Sequence, residues 1–110
     1  MKREKLLSAL QTHWKELIKE GQVTQFHEGQ VLFYEGHMPY GLFILLKGNV
    51  TFTKDGSPSP DDHRWSSPKG VIIGMEPFLN QSPYCCTGTA QQDCRAIFIS
   101  KTLLAPLMSS

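Results

Sequence analysis

The sequence contains no apolar run near the roughly 20 residues that a membrane-spanning helix needs, so no bilayer span is expected. Cysteine is scarce. The three present, Cys85, Cys86 and Cys94, are an odd number in no disulfide or zinc-ligand spacing, which predicts a reducing compartment. An excess of one charge is also lacking. Eleven Lys and Arg against ten Asp and Glu leave a formal net charge of +1, so no broad field draws nucleic acid or an anionic membrane surface. There is no Ser-His-Asp order, no zinc-spaced cluster and no phosphate-cradling glycine loop, which predicts a protein that is not an enzyme. No secretory leader is expected either. Met1-Lys2-Arg3-Glu4-Lys5 is basic enough to begin one, but Gln11, Thr12, His13 and Lys15 interrupt the apolar stretch that must follow. The expected location is cytoplasmic.

What is present fits a single domain. A chain of 110 residues with 40% hydrophobic and 19% charged residues can bury one modest core. Leu6, Leu7, Leu10, Trp14, Leu17 and Ile18 recur at three- and four-residue steps. That spacing predicts an N-terminal helix over residues 1–21 with one apolar stripe. Gly21 stands where a helix C-terminal glycine is expected. The plain use of such a stripe is packing against the domain; docking a partner is the alternative.

After Gly21 the texture changes to short apolar runs punctuated by Gly, Pro, Asp and Ser. Strands are expected over residues 23–26, 31–34, 42–46, 50–54, 71–73, 85–90 and 96–99. Residues 57–69 hold three prolines, four serines and Asp61-Asp62, which predicts one long mobile loop. Ser100 can cap a last helix over residues 101–108, and Pro106 keeps it short or bent. One helix followed by many short strands at about ten-residue spacing predicts a mainly β fold, a β-roll or jelly-roll barrel spanning residues 22–110.

Two stretches then become specific. They are Gly29-Gln30-Val31-Leu32-Phe33-Tyr34-Glu35-Gly36 and Pro39-Tyr40-Gly41-Leu42-Phe43-Ile44-Leu45-Leu46-Lys47-Gly48-Asn49-Val50. With Gly70-Val71-Ile72-Ile73-Gly74 and Ala96-Ile97-Phe98-Ile99, they resemble the cyclic nucleotide-binding domain found in Crp/Fnr-type regulators, gated channels and kinase regulatory subunits. In this reading Gly29, Gly36 and Gly48 end strands in tight corners at positive φ. The leucine-rich strand between Gly41 and Gly48 is buried on both faces.

The resemblance implies a regulatory domain that senses a small-molecule effector, with cAMP or cGMP as the family's ligand. It also implies a phosphate-binding cassette at residues 74–87, and a ligand-binding set of Ile73, Gly74, Met75, Glu76, Pro77, Phe78, Tyr84, Cys85, Cys86 and Thr87. The departures are as informative. Met75 occupies the place of the glutamate that takes the ribose hydroxyl, and Tyr84 that of the arginine that closes on the phosphate. Losing a charge-assisted contact costs on the order of 1.5–3 kcal/mol, more than tenfold in affinity. Arg64, in the expected long loop, and Arg95, in the next strand, are not near replacements in sequence.

Cys85 and Cys86 read first as small buried hydrophobes, on a strand whose adjacent side chains face opposite ways. His27 and His37 fall near strand corners; surface histidines are the plain reading, haem ligation the remote one. Asp61-Asp62-His63 reads as a solvated loop rather than a cation site. Helices that follow the barrel in the family are cut short at Ser110, so no DNA-binding element is expected in this chain. A homodimer remains open. The alternative to ligand sensing is a ligand-free β-roll serving as a structural or dimerisation module.

Overall fold

A computed structural model describes residues 3–59, 64–67 and 70–108. The chain opens with α1 (Arg3–Thr12) and α2 (Trp14–Glu20). The expected single helix is thus bent at His13, whose φ of −108° and ψ of 21° leave the helical region. The hydrogen-bond ladder survives the bend, because His13 N–H donates to Ala9 C=O at 3.0 Å and Leu17 N–H to His13 C=O at 2.9 Å. The bend keeps Leu6, Leu10 and Leu17 all buried at 0–1% exposure. Gly21 does end α2, but with extended backbone (φ −70°, ψ 158°). Its reason is space instead of a left-handed turn: a Cβ there would run into the side chains of Ile97 and Ile99.

The strands are β1 (Gln22–Phe26), β2 (Val31–Phe33), β3 (Gly41–Lys47), β4 (Val50–Lys54), β5 (Ser57–Pro58), β6 (Arg64–Ser67), β7 (Gly70–Ile73), β8 (Thr87–Ala90) and β9 (Cys94–Ser100). Two short helices complete the chain, α3 (Met75–Asn80) between β7 and β8, and α4 (Lys101–Met108) after β9. A five-stranded sheet runs β1-β9-β3-β7-β6, and a four-stranded sheet runs β2-β8-β4-β5. Every pairing is antiparallel, as the expected jelly-roll requires.

Two expectations are corrected here. Residues 57–69 are not one long loop. Ser57–Pro58 pairs with the end of β4, and Arg64–Ser67 pairs with all of β7. Residues 60–63 and 68–69, with Asp61, Asp62 and His63, lie outside the described residues. The strand expected from residue 85 begins only at Thr87, and Cys85 and Cys86 form a bend before it.

β3 is buried on both faces, and its alternation builds two cores. Leu42 and Ile44 face the helices, with Leu6, Leu10, Leu17, Ile72, Ile97, Ile99 and Leu104. Phe43 and Leu45 face the space between the sheets, with Phe33, Val50, Phe52, Ile73, Tyr84 and Cys86. Gly29, Gly36 and Gly48 all have positive φ, as their corners demand. At Gly48 space adds a second constraint, since a Cβ would lie 2.6 Å from Cys94 Sγ.

Candidate functional site

The cassette starts at Gly74, which caps α3 in the left-handed conformation at φ 85°, with no side-chain cap. Only glycine takes that conformation cheaply. The first turn of α3 is then Met75, Glu76 and Pro77. Proline has no N–H, so this turn offers fewer backbone donors than an ordinary helix start. The Glu76 carboxylate adds negative charge in the same turn.

The expected site residues divide between the two cores. Ile73, Tyr84 and Cys86 belong to the cluster between the sheets. Met75 is 3% exposed but packs in the helix-side cluster, where Phe78 is partly buried against it. Pro77 is buried within α3. Glu76 points outward and pairs with Arg3 at 3.5 Å, with both side chains about half exposed. A surface pair of this kind contributes little, and the one-residue shift from the usual glutamate position leaves Glu76 outside. Cys85 is half-buried and Cys86 fully buried. Thr87 Oγ1 accepts from Glu35 N–H at 3.0 Å, tying the cassette's far end to the corner after β2.

Tyr84 is the centre of the arrangement. Its ring stacks on Phe33, with centroids 4.2 Å apart and planes 23° from parallel. Phe33 continues the chain of rings to Phe43 at 6.2 Å and Phe52 at 6.1 Å. The other edge of Tyr84 lies against Gly74: a Cβ built there would be 3.3 Å from Cε1 and 3.8 Å from the hydroxyl. The backbone fixes this position from both sides. Gly36 N–H donates to Tyr84 C=O at 2.8 Å, and Tyr84 N–H donates to His37 C=O at 2.9 Å. Burial pushes the phenol from 10.0 up to about 12, because an ionised ring would lose its hydration here. At neutral pH Tyr84 is therefore an uncharged donor, where the family's pattern has a cation.

Arg64 has a place that sequence proximity did not reveal. Its Cα is opposite Ile73, one residue before Gly74. Its guanidinium turns to β4, donating to Asn49 Oδ1 at 2.6 Å and Val50 C=O at 2.7 Å. It also lies 5.1 Å from the centroid of the Phe52 ring. Arg64 thus clasps one sheet to the other. Among the described residues, no three His, Cys, Asp or Glu side chains gather as a metal site, and no helix is long and apolar enough to cross a membrane.

Beside Tyr84 lies a surface cleft of about 280 Å³. Phe33, Phe43 and Tyr84 form its buried floor, and Tyr34, Met38 and Tyr40 its exposed rim. Of the expected ligand-binding residues, only Tyr84 lines it. Sequence reasoning missed the rest. The available signal was the density of rings and apolar side chains, Tyr34, His37, Met38 and Tyr40, in a corner where polar turn residues are usual.

The family model of the cyclic nucleotide-binding domain matches residues 23–110. The chain belongs to that family. Solved structures agree on the fold. The N-terminal domain of a transcriptional regulator from Streptomyces coelicolor A3(2) is 22% identical with a TM-score of 0.69, covering 97% of this chain and 75% of that one. The catabolite activator protein of Thermus thermophilus is 17% identical with a TM-score of 0.65, covering 99% of this chain and 47% of that one. The cGMP-bound form of the EAL enzyme Bd1971 is 24% identical with a TM-score of 0.64, covering 81% of this chain and 24% of that one. No curated protein matches the chain by sequence. At these identities the neighbours establish the cyclic nucleotide-binding jelly-roll, and the ligand has to be argued from the site itself.

Proposed function

We propose that this chain is the effector-sensing module of a Crp/Fnr-type regulator, that it performs no chemistry of its own, and that its cassette does not hold a cyclic nucleotide. The observation that carries this reading is the Tyr84 ring between Phe33 and Gly74. It puts a neutral phenol in the arginine's sequence position. Met75, Glu76 and Pro77 point the same way. Met75 is used as a core residue, Glu76 adds an acid at the helix start, and Pro77 removes a donor. The cGMP in the neighbouring enzyme's structure makes cyclic nucleotides the first ligands to test.

A regulatory module must pass occupancy to a neighbouring element. α4 is suited to that role, because its first N–H, from Lys101, donates to Tyr40 C=O at 2.7 Å. The rim of the roll is thereby tied to the helix that leaves it, and a ligand favouring one arrangement of the pair would shift the population.

The test is thermal unfolding with and without millimolar cAMP and cGMP. A ligand that binds only the folded state raises the midpoint by mass action. We expect no rise with either nucleotide. A clear rise would overturn the exclusion and return the cassette to its family ligand. The competing reading, a ligand-free interaction module, draws on the exposed rings of Tyr34 and Tyr40. It predicts self-association without added ligand, which sedimentation over a range of concentrations would detect.

A further inference from the structure

We propose that the cleft beside Tyr84 is a binding site for an uncharged, planar aromatic molecule carrying a hydrogen-bond acceptor. The site shares Tyr84 with the cassette but includes none of residues 73–79. Binding there does not depend on the regulatory reading above; only its consequence for α4 does.

Three observations lead to this ligand class. The first is composition. Seven of the nine lining residues carry an aromatic or imidazole ring, and none is Lys, Arg, Asp or Glu. A cleft without a charged side chain has nothing to compensate a bound phosphate or carboxylate for its lost hydration. A flat uncharged ring system, in contrast, finds faces and edges to stack on. The volume of about 280 Å³ is at the lower end for small-molecule sites and suits two or three fused rings.

The second is exposure. Five large hydrophobic side chains in the described chain are strongly exposed, and three of them, Tyr34 (54%), Met38 (44%) and Tyr40 (76%), stand on this one rim. Scattered exposed apolar residues are ordinary, but their gathering around a concave floor of buried rings is what marks a binding site.

The third is rigidity and polarity. The rim corner is pinned by hydrogen bonds from Gly36 N–H to Tyr84 C=O and from Tyr84 N–H to His37 C=O. His37 N–H also donates to Tyr34 C=O at 3.2 Å, and the two side-chain rings lie 5.4 Å apart. A pinned rim loses little freedom on binding. The polar side chains of the lining are the Tyr34, Tyr40 and Tyr84 phenols and the His37 imidazole, all able to donate to an acceptor on the ligand. Occupancy would press on Tyr40, whose carbonyl holds the first turn of α4.

Acridone is a suitable probe: planar, uncharged, fluorescent and bearing one carbonyl acceptor. Its fluorescence anisotropy is titrated with the intact chain. Saturable binding is expected, weakened about two- to twelvefold by Tyr40→Ala, which corresponds to the ~0.5–1.5 kcal/mol of one aromatic contact. Tyr34→Ala should weaken it comparably. Both rings are exposed, so both variants should fold, and an unchanged unfolding midpoint verifies it. Val23→Ala, an exposed apolar change off this cleft, should bind like the parent. Acridine-9-carboxylate, the anionic counterpart, should bind at least tenfold more weakly. Absence of saturable acridone binding, equal binding of the carboxylate, or indifference to both tyrosine variants would each overturn the proposal. So would concentration-dependent self-association abolished by Tyr40→Ala, which would assign the rim to a second copy of the chain. A rise in midpoint with cyclic nucleotide would refute the cassette reading alone and leave this site standing.

Discussion

On the helix side of the five-stranded sheet, Leu6, Leu10, Leu17, Leu42, Ile44, Ile97, Ile99 and Leu104 are 0–1% exposed. On the side facing the second sheet, Phe33, Phe43, Phe52 and Tyr84 each retain 5–8%. The same strands supply both faces, since Leu42 and Ile44 alternate with Phe43 and Leu45 along β3. The first cluster is aliphatic and fully buried at its centre. The second is aromatic, opens on a cleft, and carries an uncharged phenol at the cassette's key position. Both cores hold the fold together, and the second also brings stacked rings to the edge of a cleft.

That contrast is sharpest under truncation. Leu10→Ala should destabilise by about 2–5 kcal/mol, because a closed aliphatic site cannot collapse around the cavity left behind. Tyr84→Ala removes more atoms but abuts an open cleft, where solvent can enter and neighbouring rings can relax. We expect it to cost less than Leu10→Ala in urea unfolding. An equal or larger cost would mean that the aromatic cluster is as closed as the aliphatic one.

Arg64 tests how the aromatic side is held. Its two donated bonds to Asn49 and Val50 join β6 to β4 across the sheets. Arg64→Met keeps much of the stem and removes the donors, leaving the Val50 carbonyl without that partner. A loss of about 1–3 kcal/mol is expected. A change within error in the urea midpoint would mean that the clasp contributes nothing. Gly74→Ala comes next, at about 1–2 kcal/mol, since a Cβ at φ 85° is strained. The added atom would also press on the Tyr84 ring at 3.3 Å. Should Gly74→Ala leave the midpoint unmoved, the phenol is not seated against the cassette.

The helix-side core was legible in the sequence because its signal is local. Leu6, Leu10 and Leu17 repeat on one helical face, and the apolar run at residues 42–45 requires burial on both sides of a strand. The family resemblance was likewise carried by contiguous strings with corner glycines. What sequence did not disclose depends on distant partners. Ser57–Pro58 and Arg64–Ser67 have loop composition, yet become strands because β4 and β7 offer them ladders. The bend at His13 has no composition signal, since the apolar stripe runs through it. The cassette register singled out Tyr84 as the residue at the arginine's place. It did not reveal that Met75 turns to the opposite core, or that Tyr34, His37 and Tyr40 gather around Tyr84. Those facts require the corner after β2 to lie against the residues just before β8.

The smallest change in structure is Tyr84→Phe, and it isolates the phenol from the ring. Stacking on Phe33 is kept, so the urea midpoint at neutral pH should move by less than about 1 kcal/mol, the scale of one net hydrogen bond. The variants should diverge in alkali. In the unfolded chain a tyrosine ionises near 10, whereas burial raises Tyr84 in the folded protein to about 12. The folded state therefore resists losing this proton. Its contribution to stability is fully present below pH 10 and is lost as pH rises toward and through 12. Tyr84→Phe should flatten that part of the curve and remove an ionisation step near pH 12 from the absorbance at 295 nm. If the parent and Tyr84→Phe lose stability in parallel between pH 10 and 12, the phenol is not held neutral by burial. The ring would then be wet on both sides, and the division between a closed core and an open one would run through Phe33 instead of Tyr84.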